Sequence, residues 1–322
     1  MNQASEKQLF GISITLSISQ ELNMISDNVN KLADKVKVLI IGKHGQLARS
    51  LVDTAPHNIE LLSLARSGIN LLDLSNIEKA VARFKPNTVI NASGYTDVES
   101  AESDATSAFS VNETAVENIA TVTSKNNIRL IHISSDFVFD GTSKVPYSTN
   151  DKPNPLSIYG ASKLAGERAL TRLQPNNSSV IRTSWLYSPY GNNFVKTMLN
   201  LMSTKEHLNV VSDQIGCPTN ANKLALFIWQ LTTLDTIYPF YHWSDLGSTS
   251  WYEFAIEIQN IGVNLGLLTR KIPINSIKSF EYPSNVKRPK YSVLDTSNSQ
   301  SILAAKDWRE ELAEFLKKLK ER

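Results

Sequence analysis

The run Lys35-Val36-Lys37-Val38-Leu39-Ile40-Ile41, closed at once by Gly42, constrains the fold more than any other feature. Apolar, β-branched and bounded by a glycine, it has the pattern of a parallel strand buried on both faces. Such a strand needs helices on both sides of its sheet, so strands and helices have to alternate along the chain. They do. Ile59–Leu64, Thr88–Asn91, Ile128–Ser134 and Ser179–Thr183 read as further strands. Ser75-Asn76-Ile77-Glu78 has the spacing of a capping box that opens a helix to about Phe84. Helical patterns also run from Asp104 to about Lys125 and over Tyr159–Leu170, the latter behind a Pro- and Asn-rich loop.

The expected fold is therefore α/β: a Rossmann-type doubly wound parallel sheet over residues 35–183. After Thr183 short helices mix with short strands, Pro and Gly. Residues 184–322 are expected to form mainly a smaller, mixed α/β substrate lobe, with some segments returning to the sheet. Residues 1–34 precede the first strand pattern and read as an extension, either a flexible tail or an added helix.

Composition narrows the function classes. A formal net charge of +2 gives no reason to expect nucleic acid as a partner. No stretch approaches the apolar length of a membrane span. Leu9–Ile18 is broken by Gly11, Ser13, Thr15 and Ser17 with no basic run before it, so it does not read as a signal peptide. With Cys217 as the single cysteine, a reducing compartment, the cytoplasm, is expected. The five histidines have no metal-ligand spacing, and there is no G-x-S-x-G elbow and no Walker sequence.

Gly42-Lys43-His44-Gly45-Gln46-Leu47-Ala48 follows the first strand and opens a helix with G-x-x-G-x-x-A spacing. Glycines there permit a tight turn and close approach to a pyrophosphate, which the helix N-terminus then receives. Gly42, His44, Gly45, Gln46 and Leu47 are the candidate ligands. The second strand ends in Leu64-Ala65-Arg66-Ser67, without the acid expected on an NAD ribose. Arg66 is either a partner for the 2′-phosphate of NADPH or a surface arginine. Asp73 and Leu74 either meet the adenine edge or belong to a helix-entry turn.

Tyr159 and Lys163 are four apart on one helix and so share a face. An ammonium beside a phenol is expected to lower its pKa and to hold the nicotinamide ribose. The pair can pass a proton to a carbonyl oxygen as hydride arrives at its carbon. Ser135, at a strand's carboxyl end, is expected beside the phenol.

These residues resemble the dTDP-4-dehydrorhamnose reductase family of the extended short-chain dehydrogenase/reductases. The resemblance runs from Lys35 to the C-terminus. It rests on Gly42–Leu47, Asn91–Thr96, Ser134–Gly141, Tyr159–Lys163, Arg182–Tyr187, Gly191–Phe194, Asp213–Thr219 and Arg288-Pro289. It implies reduction by NADPH, or NADH, of the 4-keto group of a dTDP-6-deoxyhexulose, a step of dTDP-rhamnose and surface-polysaccharide synthesis. Ser135, Tyr159 and Lys163 would be catalytic, with serine where the family more often has threonine. Asn91, Ala92, Ser93 and Tyr95 would line the cofactor; Thr96, Val98, Asp136 and Trp185 would meet the sugar or close its pocket. A homodimer is implied by resemblance alone. Phe137 departs from the commoner tyrosine and excludes the glutamate of sugar-nucleotide dehydratases. Ser50 stands where some members have a glutamate tied to Mg²⁺, so no metal is expected. Two other readings stay open: a non-catalytic regulatory subunit resembling the methionine adenosyltransferase β subunit, and a related sugar-nucleotide ketoreductase.

Overall fold

Val38, Leu39, Ile40 and Ile41 of strand β1 (Val36–Ile41) are shielded from water on both faces. The computed structural model describes residues 36–321; the extension expected over 1–34 lies outside the described residues. β1 pairs in parallel with β2 (Ile59–Leu64) on one side and β3 (Thr88–Asn91) on the other. Beyond β3 lie β4 (Arg129–Ser135), β5 (Ser178–Thr183) and β6 (Phe240–Trp243), giving the order β2-β1-β3-β4-β5-β6 with every pair parallel. The order reverses between β1 and β3, where the crevice of a doubly wound sheet opens.

Alternation along β1 feeds two cores. Val38 and Ile40 pack with Leu47, Ala48 and Leu51 of α1 (Gln46–Asp53). The same core takes Phe227, Ile228 and Trp229 of a helix over Ala221–Thr233. Leu39 and Ile41 meet the other face, with Ile77 and Val81 of α2 (Leu74–Phe84), Val116 and Ile119 of α3 (Ala115–Lys125) and Leu170 of α4 (Ile158–Leu173). A third core, outside the sheet, gathers Tyr187, Val195, Phe254, Trp308 and Phe315. There Leu208–Val211 pairs with Ile274–Ile277.

Two local expectations change. The capping residue of α2 is Asp73, whose carboxylate accepts from the N–H groups of Ser75 and Asn76. The box expected at Ser75 starts two residues late, because the Asp73 carboxylate already satisfies the amides that open the helix. The helical stretch ahead of α3 is also broken: residues 110–114 form a wider π turn, a feature common at functional sites.

The wide turn lets α4 come close. A Cβ at Gly166 would lie 2.0 Å from the Asn112 carbonyl oxygen. Gly166→Ala is therefore expected to force α4 off the π turn and destabilise the protein by about 1–3 kcal/mol. Gly68→Ala serves as control, since its Cβ would meet nothing nearer than 3.5 Å. Urea denaturation midpoints compare the two; equal midpoints would disprove the close fit.

Candidate active site

The glycine turn sits where β1, β2 and β3 end. Gly42 and Lys43 donate to the Leu64 carbonyl at 3.0 and 3.1 Å, and Gly45 donates to the Gly42 carbonyl at 2.8 Å. Gly42 has φ +107, and a Cβ there would lie 2.9 Å from the backbone of Ala92 and Ser93. Only glycine tolerates that conformation and that approach. Gly45 caps α1 without any side chain, which leaves the first amides of the helix available to an anion. His44 is exposed on this turn, and Arg66 is exposed just past the end of β2.

Several predicted ligands also have structural work. Leu47 is buried against the sheet, so only its backbone can serve. Gln46 accepts from Ser188 and Asn193 at 2.9 and 3.0 Å, tying α1 to the 188–193 loop. Asn91 accepts from the Ser93 amide and hydroxyl at 3.1 and 2.6 Å and shapes the turn after β3. Its Nδ2 lies 3.2 Å from Nδ1 of His132, which burial, with Lys163 nearby, holds well below the ordinary histidine pKa. Asp73 is engaged as a helix cap, and Leu74 beside it is exposed.

Tyr159, Lys163 and Ser135 come together as expected. Tyr159 and Lys163 are buried on α4, one turn apart, facing the carboxyl end of β4. Burial pushes the Tyr159 phenol up to about 12, opposed by a hydrogen bond to Ser135 and aided by the Asp136 carboxylate. The expectation that Lys163 lowers the phenol is corrected. Lys163 donates to the Ile133 carbonyl at 2.6 Å, and desolvation dominates at Tyr159. Burial also brings Lys163 down to about 8, against the raising effect of Glu167.

Asp136, expected in the sugar pocket, lies directly behind Ser135. It is 2% exposed and accepts from Ser135 at 3.0 Å. Burial raises it to about 6, against hydrogen bonds with Ser292 and Ser135. It backs the serine. Thr96 is exposed; Val98, Tyr95 and Phe137 pack around Tyr159, with the Phe137 ring edge-on to the phenol at 5.6 Å. Trp185 is half-buried and stacks on Trp251, with centroids 3.4 Å apart. Its backbone has φ +46, rare for a bulky residue and a recurrent mark of functional sites.

Sequence reading missed Asn112. From the π turn it accepts from the Tyr95 amide at 2.9 Å, donates to the Tyr95 carbonyl at 3.0 Å and donates to Ser162 at 2.9 Å. It thus joins the strand-end segment to the helix of Tyr159. An isolated asparagine within a helical pattern carries no signal for such contacts.

The profile of the RmlD substrate binding domain matches residues 36–321. The chain is 38% identical over 285 residues to a dTDP-4-dehydrorhamnose reductase of Aggregatibacter actinomycetemcomitans, covering 86% of this chain and 97% of the relative. It is 36% identical to one of Sinorhizobium fredii, covering 80% and 88%. The crystal structure of a dTDP-4-dehydrorhamnose reductase from Bacillus anthracis in complex with NADP superposes with a TM-score of 0.83 at 33% identity, covering 88% of this chain and 99% of that one.

Asn112→Ala would leave both backbone groups of Tyr95 without this partner. A loss of about 1–3 kcal/mol is expected, with faster hydrogen exchange at the Tyr95 amide. Unchanged exchange at that amide would rule out the bridging role.

Proposed function

The chain belongs to the RmlD substrate-binding-domain family, that of the dTDP-4-dehydrorhamnose reductases, and on that premise we propose that Tyr159 delivers the proton in an NADPH-dependent reduction of a dTDP-4-keto-6-deoxy sugar. The protein is an NAD(P)H-dependent oxidoreductase of nucleotide-sugar synthesis. The observation that carries the residue assignment is the meeting of Ser135, Tyr159 and Lys163 at the carboxyl edge of β4. An uncapped glycine turn lies at the ends of β1 and β3 in the same sheet.

The cradle fits a dinucleotide. A Cβ at position 42 would fill the space against Ala92 and Ser93, and the amides of Gln46 and Leu47 open α1. Gly42, Gly45 and those amides would hold the pyrophosphate, with His44 beside them. Arg66 would meet a 2′-phosphate, favouring NADPH. Ala92, Ser93 and Tyr95 would line the nicotinamide side, and Lys163 would hold the ribose. Bound there, a reduced nicotinamide supplies the hydride.

Tyr159 keeps its proton at neutral pH because burial raises its pKa to about 12. It is therefore inert toward water yet competent to protonate an oxygen that is becoming an alkoxide. Ser135 holds that oxygen beside the phenol, and the Lys163 ammonium stabilises negative charge as the proton leaves. Phe137 offers an aromatic edge and no acid, so dehydration has no catalyst at that position. Thr96, Val98 and Trp185 would bound the sugar. A purely regulatory subunit requires none of the three polar side chains gathered here. Cytoplasmic location stays part of this reading on the single buried cysteine, and a homodimer on the resemblance. Among the described residues no helix is long and apolar enough to cross a membrane.

NADPH oxidation with the enzymatically generated dTDP-4-keto sugar tests the reading; absence of turnover by wild type that binds NADPH would sink it. Tyr159→Phe is expected to lower kcat by about 100- to 10,000-fold while the cofactor still binds. Gly42→Ala should weaken NADPH by about tenfold or more, roughly 1.4 kcal/mol, because its Cβ meets backbone. Lys163 is charged below its pKa of about 8, so activity is expected to hold below that pH and fall as pH rises through it. A profile flat through this range would remove the ammonium from the mechanism.

A further inference from the structure

Helix α4 grips β4 at two consecutive residues. Lys163 donates to the Ile133 carbonyl at 2.6 Å, and the Ser134 hydroxyl donates to Glu167 Oε1 at 2.5 Å. Glu167 also accepts from Arg182 of β5 through Nε at 2.9 Å and Nη2 at 2.7 Å, a bidentate pair 2–3% exposed. The guanidinium lies over the rings of Phe139 and Phe240. Its Nη1 is 3.4 Å from Nε2 of His242, whose Nδ1 lies 3.0 Å from the Tyr147 carbonyl. With Nδ1 donating there, Nε2 is left to accept from the arginine, which requires a neutral ring. Burial and Arg182 hold that ring neutral.

A buried ion pair is weak evidence for stability, because well-packed apolar residues of the same volume often serve as well. Its place in the fold suggests another use. Glu167 follows Lys163 by four residues on α4, so both stand on one face. We propose that Glu167, clamped by Arg182, is a positioning residue for the reduction: it fixes the register of α4 on β4 that brings Tyr159 to Ser135, with its carboxylate one helical turn from Lys163. The proposal rests on the reductase reading.

The surrounding charges agree with this role. Tyr159 and Glu167 flank Lys163 on its own helix. From β4 it is faced by His132, which is uncharged. Glu167 itself is faced by Arg182 from β5, with neutral His242 of β6 behind it. Glu167 therefore supplies the negative charge that opposes the desolvation of Lys163. Without it the lysine loses its proton at lower pH.

Glu167→Gln keeps the shape and an acceptor for Ser134 but leaves Arg182 unpaired. The double variant Glu167→Gln/Arg182→Met removes that stray charge and guards against misfolding. The alkaline limb of kcat/KM is measured for both, alongside melting temperature and NADPH affinity. In both variants the limb is expected to move down by about one pH unit, with the cofactor still bound. A folded double variant whose limb stays at the wild-type pH would overturn the proposal, since a merely structural clamp leaves it unmoved. NMR titration of Lys163 in ¹³C-lysine-labelled protein reads the same shift without turnover. Failure of wild-type turnover would thus strike the reductase reading alone, and an unmoved lysine titration the positioning role alone.

Discussion

The burial of β1 on both faces is the constraint from which the rest follows. Its central residues have no contact with water, so each peptide group must pair within the sheet and each side chain needs a helix opposite it. Parallel strands then have to be joined by crossovers over alternate faces. That leaves the carboxyl edge as the place where turns converge, and the reversal between β1 and β3 opens a crevice there. The glycine turn, the segment after β3 and Ser135 at the end of β4 all lie on this edge.

Dryness sets the chemistry of that edge. Taken from water, a phenol holds its proton more firmly and an ammonium less firmly. Tyr159 and Lys163 move in those opposite directions, to about 12 and about 8. The acid is thereby kept loaded, and the cation is kept charged only with the help of neighbouring groups. Hydrogen bonds at fixed distances do the remaining work. Asn112 holds the strand-end backbone, Ser134 and Ile133 hold the helix, and Asn91 folds the turn between them.

Much of this was legible in the chain. Five strands are readable as short apolar runs, most clearly β1, because a strand buried on both faces has no polar face to obscure the pattern. The sixth, Phe240–Trp243, is four residues of aromatic and histidine side chains and offers no such run. The meeting of Ser135, Tyr159 and Lys163 was readable because strand ends and helical spacing fix where side chains point. The direction of the tyrosine shift was not, since it depends on how much water the finished fold excludes. Asn112 escaped notice because its partners are 17 and 50 positions away. The burial of Asp136 against Ser135 and Ser292 is a matter of packing that no local pattern announces.

The indole of Trp185 lies flush on the backbone of Gly216. A Cβ at 216 would fall 2.6–2.8 Å from three atoms of that ring. The two positions are therefore coupled sterically, and in one direction. A lineage can first exchange the tryptophan for a smaller residue and then drift at 216. The opposite order passes through a chain whose new methyl group is driven into an aromatic ring already pinned by Trp251. Gly216 can thus accept a side chain only where the residue at 185 is smaller than an indole.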